Sequence, residues 1–241
     1  MILGATQGGH IGCTVGLGGK SMAKKATKRR VREPDVTREK LLSAAYEEIH
    51  RRGFQAASLD AIIARAGVTK GALYHHFPDK ASLGYAVVDE VVNDSLLERW
   101  LGLLEEQPGD PLTALQNLLR QRAAIATAEE IELGCPLNNL AQEMSPLDDR
   151  FRRHINATFD SWREGFAQVL EHGQAEGTVR RNLDAKAVAS FIVAAIEGSW
   201  GLAKSAKSLP ILRSNSEVLA GFLDSLRPPS KQSRGARARP S

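Results

Sequence analysis

The residues that could do chemistry in this chain are few, and most lack the partners their chemistry needs. Gly19-Lys20-Ser21 ends like a phosphate-cradling G-x-x-x-x-G-K-S loop, but the first glycine would fall on Thr14 and no apolar strand leads into it. His75 and His76 are adjacent, so on a helix their rings diverge by about 100° and cannot close on one metal ion, which needs an i, i+4 pair. Glu129, Glu130 and Glu132 read as a solvated face at a helix end. Cys13 and Cys135 stand 122 positions apart and build neither a disulfide framework nor a zinc site. The chain shows no nucleophile elbow, no H-E-x-x-H and no dinucleotide-binding glycines after a strand. An enzyme is not expected, and no cofactor or metal is called for. Cys135 keeps one reactive reading. Pro136 is favoured at a first helical position, which makes Cys135 the N-cap, and a helix N-terminus stabilises a thiolate. The competing reading is a small buried core residue beside a pocket for a non-covalent apolar ligand.

A second cluster carries recognition chemistry. Ser58 is a good N-cap, with Leu59, Ile62, Ile63 and Ala66 on one face before Gly67. Val68 packs the turn, Thr69 caps again, and Lys70 to Phe77 form a short helix ended by Pro78. Leu73 and Phe77 share a face with Val68 and belong to a core, which frees Thr69, Lys70, Gly71, Ala72, His75 and His76 to meet a groove. Gly71 lets backbone approach closely, small Ala72 can lie against a thymine methyl, and His75 suits a phosphate. Tyr74 either packs with its hydroxyl on a phosphate or is purely structural. Lys80, at a helix start, brings an ammonium to a backbone phosphate, or is a solvated surface lysine.

These residues need helices to hold them. Leu41, Leu42, Ala45, Tyr46 and Ile49 recur at helical spacing from Thr37 to a stop at Gly53. With the two short helices joined by Ala66-Gly67-Val68, this makes a helix-turn-helix whose second member reads DNA. Further helices are expected from Asp79 to about Leu104, Pro111 to Ala128, Gly134 to Met144, Pro146 to His172, Asp184 to about Lys204, and Ser216 to Leu226, with 173–182 rich in turns. Nothing alternates with period two, so the fold class is all-α.

The run from Ser58 through Ala-Gly-Val, Thr69, Gly71, Leu-Tyr, His-Phe and Lys80 to Leu83 resembles the DNA-binding signature of the TetR family of bacterial transcriptional regulators. The resemblance is strong over about residues 36 to 84. It implies an all-helical homodimer with an N-terminal head that reads a double-stranded DNA operator and a C-terminal part that senses a small-molecule effector. Gly134-Cys135-Pro136 followed by Asn-Leu-Ala-x-Glu resembles a branch of the family that carries a cysteine at this place.

Charge divides the chain in the same way. The net charge is +4, but residues 1–33 carry +6 and residues 227–241 carry +5, leaving −7 for 34–226. Basic arms beside a nearly neutral head suit a polyanion, and an acidic remainder does not. The expected organisation is a disordered extension and basic arm over 1–33, the DNA-binding domain over 34–83, a ligand-binding and dimerisation domain over 84–226, and a disordered basic tail over 227–241. The helix after Asp184 carries Ala187, Ala194, Gly198 and Gly201 among Phe191, Ile196 and Trp200, so it must be covered on more than one face. A four-helix interface with a second copy would cover it, as would burial inside one subunit. Trp100, Leu119, Cys135, Leu140, Met144, Phe159 and Trp162 are the candidate pocket residues, any of which could be plain core. The longest uninterrupted apolar stretch, Phe191 to Ile196, is too short to span a bilayer, so no membrane segment is expected. The expected function is a ligand-responsive repressor in the cytoplasm, binding a palindromic operator as a homodimer. The alternative is a helical scaffold whose basic tails bind acidic partners.

Overall fold

Side chains that compete with the backbone for hydrogen bonds start the first helices. Ser58 Oγ accepts from the Ala61 amide at 3.3 Å, Thr69 Oγ1 from Ala72 at 3.2 Å, and Asp79 Oδ1 from Ser82 at 2.6 Å. Each satisfies an amide that the helix itself leaves without a partner. The computed structural model of the protein describes residues 33–102, 104 and 109–229. The 1–33 extension, apart from Glu33, and the tail from residue 230 lie outside the described residues.

The head is α1 (Glu33–Arg52), α2 (Leu59–Ala66) and α3 (Lys70–His76). Leu41, Leu42, Ala45 and Ile49 of α1 close on Ile62, Leu73 and Phe77, all buried. Burying each large apolar side chain contributes about 1.5–3 kcal/mol, so this small core holds the helix-turn-helix angle. α4 starts at Lys80 (Lys80–Ala86) and runs on through Val87–Val92, Asn93–Leu97 and Glu98–Gly102, with Val87–Val92 and Glu98–Gly102 wound as π-helix. After it come α5 (Pro111–Ile125), α6 (Ala128–Leu133), α7 (Pro136–Met144), α8 (Asp149–Glu176), α9 (Ala185–Ala206) and α10 (Leu209–Asp224). α5 lies along α10, α9 along both α8 and α10, and α7 against α8. No strand occurs among the described residues.

Four expectations from the sequence are corrected. The helix expected to run from Pro111 to Ala128 stops at Ile125, and Thr127 opens α6 with a reciprocal capping box: its hydroxyl accepts from the Glu130 amide at 3.1 Å while Glu130 accepts from the Thr127 amide at 2.9 Å. Glu130 is therefore a helix starter rather than part of a solvated helix end. α8 does not end at His172 but continues through Gly173, which is buried where a Cβ would meet Val179 at 2.6 Å and Pro111 at 2.9 Å; close packing, not helix termination, is the reason for that glycine. α10 begins at Leu209 rather than Ser216, because Pro210 is harmless in a first turn. Arg227, assigned to the basic tail, is anchored: it pairs with Asp110 at 2.6 Å and Asp224 at 2.8 Å and donates to Thr113 Oγ1 at 2.9 Å.

α9 also qualifies the membrane expectation. By length and composition it could cross a bilayer, with mean hydropathy of 1.2 over its most apolar window. In the folded chain Ala189, Ile192, Val193, Ile196 and Trp200 are buried, and Glu197 sits among them. Its outer face remains open: Phe191 is 53% exposed and Leu202 60%, and beside them on α10 Val218 is 71% exposed. A Cβ placed on Gly198, Gly201 or Gly221 would touch nothing.

Candidate DNA-reading surface and effector cavity

The outer side of the head is built from α3. Thr69, Lys70, Gly71 and His75 are exposed and Tyr74 is 45% exposed, while Ala72 and His76 are half-buried. Leu73 and Phe77 point inward, so the division of this helix into core and free faces follows the spacing. A Cβ at Gly71 would meet only Thr69 Oγ1, at 3.9 Å, which leaves the backbone open to close approach. The His75 and His76 rings are 5.1 Å apart and nearly perpendicular, and no group of three metal-ligating side chains converges among the described residues. Ser58 is engaged as the α2 cap and its amide donates to Glu48 at 3.4 Å.

Lys80 is placed differently from the phosphate contact expected of it. Its Nζ donates to the Gln55 carbonyl at 3.0 Å and lies 5.0 Å from the centre of the Phe54 ring. Burial pushes its pKa below the ordinary lysine value, and Glu143 opposes that shift. Its ammonium ties the turn after α1 to the start of α4.

That turn is also gripped from below. The Glu143 carboxylate, at the end of α7, accepts from the Phe54 and Gln55 amides, each at 2.8 Å. At the other end of α7, His50 Nε2 donates to the Gly134 carbonyl at 2.9 Å, with burial holding the imidazole below its usual pKa and therefore neutral. Gly134 has φ 72° and ψ −168°, a backbone that a side chain would strain, and a Cβ there would meet Lys204 Cδ at 2.8 Å. Lys204 Nζ in turn donates to the Leu133 carbonyl at 2.9 Å and Asn139 Oδ1 at 3.1 Å. The loop before α7 is thus bonded to α1 on one side and α9 on the other.

Beside this junction lies a cavity of about 340 Å³ between α1, α4, α6, α7 and α9. Trp100 and Cys135 line it, together with Leu96, Ile196, Trp200 and Glu197. The other expected pocket residues lie elsewhere. Leu140 faces a second, more polar groove, Leu119 and Trp100 line a small crevice, Met144 and Trp162 are buried in the core with Trp162 5.5 Å from Trp100, and half-buried Phe159 packs against that core. The reason is that α8 turns its aromatic stripe onto α4 and fills the space a cavity would need. Tyr46, His50, Arg99, Glu197 and Trp200 line the cavity without belonging to the expected pocket set, since each reads as helix surface or core until α1 and α9 face each other.

The thiolate expectation for Cys135 is also corrected. Cys135 is the N-cap residue of α7, but its side chain makes no capping bond. Burial pushes its thiol well above its ordinary pKa, and neighbouring Glu197 pushes it further; the amides of Asn138 and Leu137 pull the other way and lose. The thiol stays protonated and donates to the Glu197 carboxyl. Glu197 itself is 8% exposed, its pKa is raised by burial to about 7, and its Oε2 has no hydrogen-bond partner.

Comparison with known proteins matches both halves. Residues 41–87 match the model of bacterial regulatory proteins of the tetR family, and residues 111–210 match that of the tetracyclin repressor-like C-terminal domain. The chain is 31% identical over 163 residues to the HTH-type transcriptional repressor DhaR of Mycobacterium sp. (strain GP1), covering 67% of this chain and 79% of that protein. It is 31% identical over 183 residues to an uncharacterized HTH-type transcriptional regulator of Lactococcus lactis subsp. lactis, covering 76% and 91%. The crystal structure of regulatory protein TetR from Rhodobacter sphaeroides superposes with a TM-score of 0.68 at 27% identity, over 77% of this chain and 98% of that one. A helix-turn-helix head joined through α4 and α7 to a helical body, with a cavity between them and matches over both parts, makes this chain a member of the TetR family of bacterial transcriptional regulators.

Proposed function

We propose that the protein is a cytoplasmic repressor that binds a palindromic operator as a homodimer and lets go when a small molecule fills the cavity between α1, α4, α7 and α9. The observation that carries this reading is the wall the two functions share. Tyr46, Glu47, His50 and Arg51 of α1 belong to the head, and they line the same cavity as Trp100, Cys135 and Trp200. A ligand there presses directly on the helix that supports the reading helix, and differential contacts with two states are what a ligand needs to shift their populations. Base edges fall to Thr69, Lys70 and Ala72, and His75 takes a phosphate. Tyr74 and the basic residues of the arm, Lys24 to Arg32, take phosphates. Lys80 acts through the Gln55 carbonyl, orienting the head rather than touching DNA first. The uncovered outer faces of α9 and α10 support the dimer.

Sequencing duplex DNA selected by the purified protein tests this. The expected result is an inverted repeat with half-site centres about 34 Å apart, one helical turn. Lys70→Ala should change base preference, costing about 1–3 kcal/mol at the affected position. Selection of no common sequence, or of a single unrepeated half-site, overturns the proposal.

A further inference from the structure

The cavity holds one deeply buried acceptor without a donor. Glu197 is one of its lining residues, its Oε2 is buried with no hydrogen-bond partner, and the thiol of Cys135 donates to the same carboxyl. A buried carboxylate without a cation or donors is costly, and proteins keep such a group paired. Apart from Arg99, the other charged groups around the cavity have partners of their own. Glu47 is held by Arg65 at 2.9 Å, Arg51 by Glu129 at 2.7 Å, and Glu130 by the α6 cap and by Arg122 at 3.8 Å. His50 is kept neutral by burial, and Lys204 is spent on Leu133 and Asn139. Half-buried Arg99 reaches Ser95 Oγ at 3.5 Å and has solvent as well. The walls next to Glu197 are apolar and aromatic, with Trp100 on α4 and Trp200 on α9.

An indole wall with a carboxylate at its base is the chemistry that recognises an organic cation: the ring faces attract the charge and shield it, and the carboxylate takes its N–H. We infer that the effector is a small amphipathic amine, protonated when bound, whose ammonium is held by the Glu197 carboxylate and whose apolar body lies against Trp100 and Trp200. This rests on reading the cavity as the effector site. The volume of about 340 Å³ is at the small end for a ligand pocket, so the body is one or two rings rather than an extended chain. Binding draws the Glu197 proton off, so the amine competes with a proton for the same oxygen.

The test uses three probes of nearly equal shape, phenethylamine, phenethyl alcohol and ethylbenzene. Binding to the full-length protein is followed by indole fluorescence, and release of the selected operator is measured in parallel. The amine should bind at least tenfold more tightly than the hydrocarbon. Its affinity should rise about tenfold from pH 6 to pH 8, as a carboxyl with a pKa of about 7 ionises, while ethylbenzene binding stays flat. Glu197→Gln should cost the amine at least tenfold and leave the hydrocarbon unchanged. Equal binding of all three probes, a flat pH profile for the amine, or no binding overturns the inference; the pH series needs no variant. Charge-dependent amine binding that leaves the operator bound would uphold the inference about the site and overturn the cavity's regulatory role instead.

Discussion

Glu197 shows how much one side chain on a helix can be changed by its surroundings. Exposed on a helix it would be an ordinary acid; in the wall of the cavity its pKa rises from 4.5 to about 7. The folded chain therefore holds that proton more firmly than the unfolded chain, and the stability this contributes is present below about pH 4.5 and is lost as pH climbs to about 7. A shift of this size corresponds to about 3 kcal/mol. Glu197→Gln, which carries no charge to bury, should stabilise the protein by roughly that amount at pH 8 and by little at pH 5. Urea unfolding at one protein concentration and both pH values checks it; a gain of the same size at both would show that the burial of charge is not the cause. The roles of Leu73 and Phe77 were legible from their spacing alone, because a four-residue period says which face is core. The states of Cys135 and Lys80 were not. Both depend on groups far away in sequence, Glu197 for one and Gln55 with Phe54 for the other, and local position at a helix start says nothing about them.

At the scale of elements, α7 is the short link on which head and body meet. Its first residues are held through Gly134 by His50, and its last turn carries Glu143, whose two oxygens take the Phe54 and Gln55 amides. Hydrogen bonds to a charged acceptor are worth about 1.5–3 kcal/mol each before solvent competition, and these are half-exposed, so the pair falls at the lower end. Glu143→Gln can keep one acceptor but loses the charge and the second oxygen. It should lower stability by about 1–2 kcal/mol, a fall in Tm of several degrees for a chain of this size, and weaken operator binding while leaving ligand binding to the cavity intact. Thermal unfolding read beside operator titration checks both parts; a normal operator affinity in a destabilised variant would show that α7 supports the fold without setting the head. The helix pattern located α7 and its proline, and Thr127 with Glu130 carried a capping box from which α6 could have been read. The continuation of α8 through Gly173 was hidden, since a glycine that stops a helix and a glycine that admits a close neighbour look the same in sequence.

For the whole molecule, the dimer proposed above rests on the outer faces of α9 and α10. Phe191, Leu202 and Val218 are exposed in the single chain, and Gly198, Gly201 and Gly221 leave flat ground between them. Small residues beside large ones let a second pair of helices approach closely, and an exposed apolar patch of this kind marks an interface. Val218→Glu should place an unpaired charge in that contact and shift the protein to monomer, with unchanged helix content and operator affinity reduced at least a hundredfold; sedimentation and circular dichroism check it, and a dimer that survives would move the interface elsewhere. The sequence by itself determined the all-helical class, the positions of most helices, the reading head and the charge division, because periodicity, caps and turn residues act over a few positions and are written where they act. The tertiary structure alone decided that the cavity is walled by α1 and α9, that Trp162 fills core and Phe159 packs against it instead of lining the cavity, and that an ordinary glutamate becomes a buried acceptor. Those outcomes depend on which helix faces meet across more than a hundred residues, and no local pattern carries that information.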